Sequence, residues 1–513
     1  MCERVIVLYD IREIQDYVYK TPQLKDAIGG SSIVDNIIKR ALNNAVKKYK
    51  KDIDNGISCD LEWENELGPI KYRHEDARDI QMVYIGGGNG LVLYNNRELA
   101  VEINKLMSRY VLENTYSLQL AIAISTVTDN YSFDYKNVNT EMTKVKINMS
   151  DSKPLYALPI CKVEYATGLP VVNEEGFSEE TRLKREAEAE KRREINSEKK
   201  KFDNFIDGKN IDSTLATVHI DGNNMGLRIR GLIEGVEEYD IAVNKMRRIS
   251  YNIDNAYNGT FEKMMKTFNK GENNYVLKVL IGGDDITYVC NAKIAVATVE
   301  YFVRELEIKT MVDGMENDIS KDDNIDYRFS ICAGIAYYRS HFPFFIAYKV
   351  AEACCRSAKE KAKMINKEKE QGIVGNFFDF QFCKNVQTLD IDSIRENEYC
   401  SPDGMKLMIR PYEINDDSRE EVYNFENLRK RIKLFQKSEE SHNSNKLPRS
   451  FAKRIRNAYS VGKTEVELFT SFLKSRGWKL EGEDMEMYIN DVAKYYDALE
   501  LMDEYVDLEY VVK

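Results

Sequence analysis

The sequence predicts an α+β protein made of two β-α-β-β-α-β units, a charged helical connector between them and a helical carboxyl-terminal region. Three observations carry this reading. The same order of strand-like and helix-like runs occurs twice, each copy places a glycine-rich turn between two apolar β-type runs, and strand signals thin out after roughly Glu420. At 513 residues the chain is too long for one compact core, and three or four units are expected.

In the first copy, Val5 to Tyr9 reads as a strand ending at Asp10, and Ser31 to Lys48 as a helix. Met82 to Tyr94 reads as a hairpin turning at Gly86-Gly87-Gly88-Asn89-Gly90, followed by a helix over Glu98 to Asn114 and a strand over Leu118 to Ser125. Glu174 to Lys201 is dense in both signs of charge at i,i+4 spacing, which predicts a solvated helical connector. In the second copy the strand Leu215 to Ile220 runs into the loop Asp221-Gly222-Asn223-Asn224-Met225-Gly226. A helix over about Tyr239 to Phe268, a hairpin, a helix over Ala292 to Met311, a strand over Tyr327 to Ala336 and a helix over Phe344 to Ile365 follow. With Gly372 to Gln381 as the last strand, this is the split-βαβ, ferredoxin-like plan. Phe425 to Lys437, Pro448 to Tyr459, Thr464 to Ser475 and Met485 to Met502 carry helical spacing. The expected units are 1–150, 151–210, 211–415 and 416–513.

A composition of 43% hydrophobic and 31% charged residues belongs to a soluble globular protein. No run of about 18 apolar residues could span a bilayer. The start, Met1-Cys2-Glu3-Arg4, lacks a secretory pattern, so a cytoplasmic protein without membrane partners is expected. Nine cysteines without a Cys-x-x-Cys pair write neither a disulfide framework nor a zinc ribbon. A net charge of −11 argues against broad attraction to nucleic-acid backbones and leaves room only for local contacts.

Gly282-Gly283-Asp284-Asp285 lies between the apolar runs Tyr275 to Ile281 and Ile286 to Cys290, so two adjacent carboxylates cap a hairpin. Gly and Asp are ordinary turn residues, but neighbouring carboxylates repel, and a hard divalent cation relieves them. Asp221 ends a strand expected beside the one leading into Gly282, which brings three carboxylates together. Two Mg²⁺ or Mn²⁺ ions roughly 4 Å apart could activate a ribose hydroxyl and stabilise leaving pyrophosphate, which is nucleotidyl transfer. The loop carrying Gly222, Asn223, Asn224 and Gly226 offers backbone N–H groups to a triphosphate. Lys359 suits the same phosphates, or is a solvated helix lysine. His219 reads as a strand-packing residue, and Cys354 and Cys355 as core thiols.

Ile220-Asp221-Gly222-Asn223-Asn224-Met225-Gly226 paired with Ile281-Gly282-Gly283-Asp284-Asp285 resembles the catalytic palm of the large polymerase-cyclase subunit of type III CRISPR effector complexes. Ser330 to Ala336, Ala351-Glu352-Ala353 and Ala358-Lys359 extend the match. Ile14 to Val18, Leu24-Lys25-Asp26 and Gly29-Gly30-Ser31 are similar to that family's first, non-catalytic palm. Arg410-Pro411-Tyr412 and the tail are similar to its final portion. The resemblance implies two palms of nucleotidyl cyclase type with ATP at their interface, joined by 3′,5′ linkages into cyclic oligoadenylate or a related signal.

It also implies that Asp221, Asp284 and Asp285, with Gly222 beside them, hold the metals. Gly282 and Gly283 of the second palm, and Gly29, Gly30, Ser31, Gly86, Gly87, Gly88 and Asn89 of the first, help hold nucleotides. Possible partners are RNA or CRISPR effector subunits. The chain opens directly on the first palm, and none of its four histidines precedes Asp, so no HD nuclease is expected. Cys161 stands alone where relatives carry a zinc site, so no zinc is expected. These departures favour a reduced, standalone synthase. The alternatives are a non-catalytic or partner-gated scaffold of a crRNA-guided ribonucleoprotein, and a diguanylate-cyclase-like enzyme using GTP.

Overall fold

The computed structural model describes residues 3–74, 78–86, 88–149, 160–195, 213–270, 276–315, 327–368, 375–384, 390–414, 422–436, 447–478, 480 and 485–512. Gly87, Tyr275, Gly372 and the ends of the expected connector lie outside these residues.

The first half holds strands β1 (Val5–Arg12), β2 (Cys59–Asp60), β3 (Ile80–Gly86), β4 (Asn89–Tyr94) and β5 (Gln119–Thr126). Their order in the sheet is β2-β3-β4-β1-β5. Val5 to Tyr9 are buried on both sides because helices cover both faces. The helices are α1 (Ile14–Tyr19), α2 (Leu24–Val34), α3 (Ile37–Asp52), α4 (Arg97–Thr115) and α5 (Tyr131–Asn148). α6 (Glu179–Ile195) follows in the connector.

The second half holds β6 (Thr214–Gly222), α7 (Met225–Ile233), α8 (Tyr239–Phe268), β7 (Val276–Gly282), β8 (Asp285–Asn291), α9 (Ala295–Leu306), β9 (Ile331–Arg339), α10 (Phe344–Glu368), β10 (Asn376–Phe382), α11 (Ile391–Glu398) and β11 (Tyr412–Ile414). The sheet order is β11-β10-β9-β6-β8-β7. Within it, β9-β6-β8-β7 is the antiparallel core expected of a β-α-β-β-α-β unit.

Four sequence expectations need correction. Asn376–Phe382 does not close that core: it lies outside it, parallel to β9, as a strand reached through helix α10 must. The strand beside β6 is β8, which leaves the hairpin tip, whereas β7 leads into it and sits at the sheet edge. The helix expected over Ser31 to Lys48 is two helices, broken at Asp35-Asn36 where Asn36 takes φ 54°. Met485 to Met502 is not one helix: Tyr488–Ile489 pairs with Val492–Ala493 across Asn490 and Asp491, both at positive φ, and only α15 (Tyr496–Leu501) is helical.

The connector helix is also less solvated than its charge suggests. Its inner face is buried against α2, where Lys184 pairs with Glu180 at 2.8 Å and donates to the Tyr17 carbonyl at 2.5 Å. Arg182 and Glu186 keep the outer face in water. Mixed-sign periodicity does not say which pair is turned inward.

Among the contacts that join the halves, two involve large buried side chains. Helix α8 lays Arg247, fully buried, on the first sheet, where it donates to the carbonyls of Val83 (2.9 Å), Met82 (2.6 Å) and Ile70 (2.7 Å). The β3 register shift between Met82 and Tyr84 falls at those carbonyls. Tyr19 of α1 stacks on Tyr348 of α10 with centroids 3.6 Å apart. At the other end, α12 (Phe425–Phe435), α13 (Arg449–Val461), α14 (Lys463–Ser475) and α15 pack beside the second sheet. There Arg410, fully buried, reaches Asp497 (3.1 Å), Glu500 (2.9 Å) and Gln381 (3.2 Å).

Candidate functional site

The Gly282-Gly283-Asp284-Asp285 tip is a two-residue turn. Gly282 pairs with Asp285, and Gly283, the first central residue, takes φ 69°, a conformation that side chains avoid. On the neighbouring strand Ile220 pairs with Ile286, which sets Asp221 opposite Asp285 at the next position. Gly222 makes the approach possible: a Cβ there would lie 2.7 Å from Asp284 Oδ2. Gly222→Ala would push directly into that carboxylate.

Asp284 and Asp285 are both held above the ordinary carboxylate range. Burial first, then the Asp221 charge, pushes Asp284 up to about 6. Burial also raises Asp285, against the pull of His219. Lys359 on α10 forms an ion pair with Asp221. Burial alone would lower the Lys359 ammonium, but the Asp221 carboxylate outweighs it and the net shift is upward. Gln15, from α1 of the first half, donates to Asp285 Oδ2 at 2.7 Å. Asp285 Oδ1 is buried without a hydrogen-bond partner, with His219 Nδ1 3.4 Å away. His219 also lies 3.0 Å from Thr287 Oγ1, so it packs within the sheet as the sequence suggests.

Asp284, Asp285, Gly282 and Gly283 line a cleft of about 1430 Å³. Gly86, Gly88 and Asn89 of the first half and Gly226 of α7 line it too. This exceeds the ~300–1,000 Å³ typical of a single small-ligand pocket. Acidic side chains outnumber basic ones along it, so a polyphosphate entering would need cations.

Other expected site residues lie elsewhere. Gly29, Gly30 and Ser31 are buried inside α2 and do not line the cleft. A Cβ on Gly29 would sit 1.8 Å from the Lys184 carbonyl oxygen, so this glycine lets α2 and α6 touch. Asn223 is buried and donates to Ser330 Oγ and the Gly375 carbonyl, both at 3.2 Å, which anchors its loop. Asn224 takes φ 54° as the residue that starts α7. Gln15 is a site residue that sequence reasoning missed, because its partner is 270 positions away. A weaker signal was present at Asp10: it lies near the end of β1 as Asp221 lies near the end of β6, and it pairs with Lys146 on α5 at 2.6 Å, as Asp221 pairs with Lys359.

The oxygen donors fit a hard divalent cation: three carboxylates, one with an unpaired buried oxygen, beside a backbone free to approach at Gly222. Among the described residues, no three His, Cys, Asp or Glu side chains stand arranged to share one ion. Lys359 holds Asp221 and Gln15 holds Asp285 in the arrangement seen. Gln15→Leu, which strips Asp285 of this donor, is expected to cost about 1–2 kcal/mol, read from urea unfolding of the metal-free protein.

A four-stranded antiparallel core with an acidic turn between its second and third strands is a palm-type domain. Residues 214–369 match the family model described as Cas10/Cmr2, second palm domain. Over its whole length the chain is similar in fold to solved structures that contain Csm1. It superposes on the Csm1–Csm4 cassette in complex with pppApApA with TM-score 0.51 and 12% identity, covering 100% of this chain and 70% of that one. The cassette in complex with cA4 gives TM-score 0.50 and 12% identity, covering 99% and 69%. Csm1 in T.onnurineus gives 0.51 and 12%, also covering 99% and 69%. Against the apo Csm1–Csm4 cassette the chain spans only 53% of the matched chain's length. No curated protein matches in sequence. Among the described residues, no helix is long and apolar enough to cross a membrane.

Proposed function

We propose that the chain is a metal-dependent nucleotidyltransferase that joins ATP through 3′,5′ linkages into a cyclic oligoadenylate or a related signal. In this reading residues 1–150 and 211–415 are two facing ferredoxin-like palms joined by the 151–210 connector, and 416–513 is a helical domain. One observation carries the proposal: Asp284 and Asp285 stand on the wall of a cleft that both sheets line, and Asp221, behind that wall, is the strand neighbour of Asp285. The cA4 and the pppApApA in complex with the related cassettes support the choice of adenine nucleotide.

Asp221, Asp284 and Asp285, with the Gly222 backbone beside them, would hold two Mg²⁺ or Mn²⁺ ions. Bound ions would supply charge stabilisation for the attacking and leaving oxygens. The protein's own part is to position and neutralise. Lys359 exchanges Asp221 for phosphate oxygens once the carboxylate has a cation, and Gly226, Gly282 and Gly283 let phosphates approach the backbone. Gly86, Gly88 and Asn89 present the first half's hairpin to a second nucleotide. Lys359→Met is therefore expected to lower the initial rate of product formation roughly 10² to 10³-fold, read by quantifying product over time.

One observation favours a partner-gated form of this activity. The Lys359–Asp221 and Gln15–Asp285 contacts must both loosen before the carboxylates can share ions. RNA or an effector subunit that shifts α1 against the turn at the start of β8 would loosen the second. The proposal is tested by incubating the protein with each nucleoside triphosphate and Mn²⁺, with and without such a partner, and identifying products by mass. Adenylate oligomers support it. Guanylate products would move the assignment to a GTP-using cyclase, and absence of product under every condition would leave a scaffold.

A further inference from the structure

Tyr257, on α8, is fully buried, with its ring packed edge-on to Phe329 at 5.5 Å between centroids and tilted against Phe302 at 6.2 Å. Its hydroxyl is buried and has no hydrogen-bond partner. A buried hydroxyl left unpaired costs stability, and phenylalanine would fill the same space without that cost. The hydroxyl therefore calls for a reason beyond packing.

The place where it points supplies one. A Cβ built on Gly222 would lie 2.7 Å from the Tyr257 hydroxyl, 2.7 Å from Asp284 Oδ2 and 2.8 Å from Met225 Cγ. The two oxygens thus stand no further apart than twice 2.7 Å, across a gap that exists because residue 222 has no side chain. An O–H donor and a carboxylate acceptor face each other there without being bonded. Other buried tyrosine hydroxyls in the molecule also lack partners, and Tyr19 and Tyr348 among them feel the Asp285 charge; what sets Tyr257 apart is the gap at Gly222 that it shares with Asp284 Oδ2. Groups that hydrogen-bond a metal-ligating carboxylate fix its orientation, and their loss weakens metal binding.

We propose that Tyr257 is a positioning residue of the cation site: its hydroxyl donates a hydrogen bond to Asp284 Oδ2 when Asp284 takes up a divalent cation. The inference rests on the metal-binding reading above. It makes the hydroxyl unfavourable in the metal-free protein and useful in the loaded one.

The test compares wild type, Tyr257→Phe and Asp284→Asn/Asp285→Asn as full chains, by Mn²⁺ titration calorimetry and by thermal unfolding without metal. For Tyr257→Phe the expected results are a metal-free Tm equal to or above wild type and an Mn²⁺ Kd about 10-fold weaker. A wild-type Kd overturns the inference. So does a lowered metal-free Tm with unchanged Kd, which would make the hydroxyl a structural group. If wild type binds Mn²⁺ no better than Asp284→Asn/Asp285→Asn, the metal-binding reading itself falls, and this inference with it.

Discussion

Asp284→Asn/Asp285→Asn is expected to make no cyclic product while melting at or above the wild-type temperature. The two effects have one cause. The wild type keeps carboxylates crowded at a partly buried turn, with Asp284 pushed up to about 6 by burial and by Asp221. Asparagine keeps the shape and removes the charges, which relieves repulsion on the order of 1–3 kcal/mol. The same change removes the ligands on which the proposed chemistry depends, so product formation should fall at least ~10³-fold. Mass analysis of products and scanning calorimetry read the two effects separately. The pH dependence has a definite sign. A carboxyl raised from its ordinary 3.8 favours the folded state most while protonated, and that contribution is lost as pH rises from about 4 through about 6. The variant's stability advantage should therefore be absent at pH 4 and full above about 6, measured without metal.

Gly29→Ala is the second large effect, and it falls on the fold. The added methyl would overlap the Lys184 carbonyl oxygen at 1.8 Å and its carbon at 2.6 Å, and backbone atoms have no rotamer through which to retreat. Helix α2 would have to separate from α6, around the buried Lys184–Glu180 pair. A cost of about 3–5 kcal/mol is expected, seen as a fall in Tm of several degrees or as loss of soluble protein. A nucleotide cradle at Gly29-Gly30-Ser31 would instead leave Tm in place and weaken ATP binding. Unfolding midpoints and ATP titration of the same sample separate the two roles.

The strands and the acidic turn were legible because their signals are local. Alternating apolar runs, a Gly-Gly turn and an Asp at a strand end specify themselves within a few residues, whereas the neighbour of β6, expected to be β7, is β8, because which arm of a hairpin pairs inward is not written locally. Gly29 was read as a nucleotide contact because a glycine needed for helix contact and one needed for phosphate contact look alike in sequence; its approach to Lys184, 155 residues on, shows the helix contact. Gln15 and Tyr257 carry no chemical motif of their own, and their meaning comes from Asp285 and Asp284. The tail was overcalled as helix at Met485 to Met502 because its apolar spacing suits either period, while the turn at Asn490-Asp491 decided the outcome.

The most direct test of the central claim is the mass spectrum of products formed from ATP and Mn²⁺ by wild type and Asp284→Asn/Asp285→Asn, run side by side with RNA and effector subunits supplied. The expected result is 3′,5′-linked adenylate oligomers, closed into rings, from the wild type alone. The same oligomers from both proteins, or none from either, would contradict it.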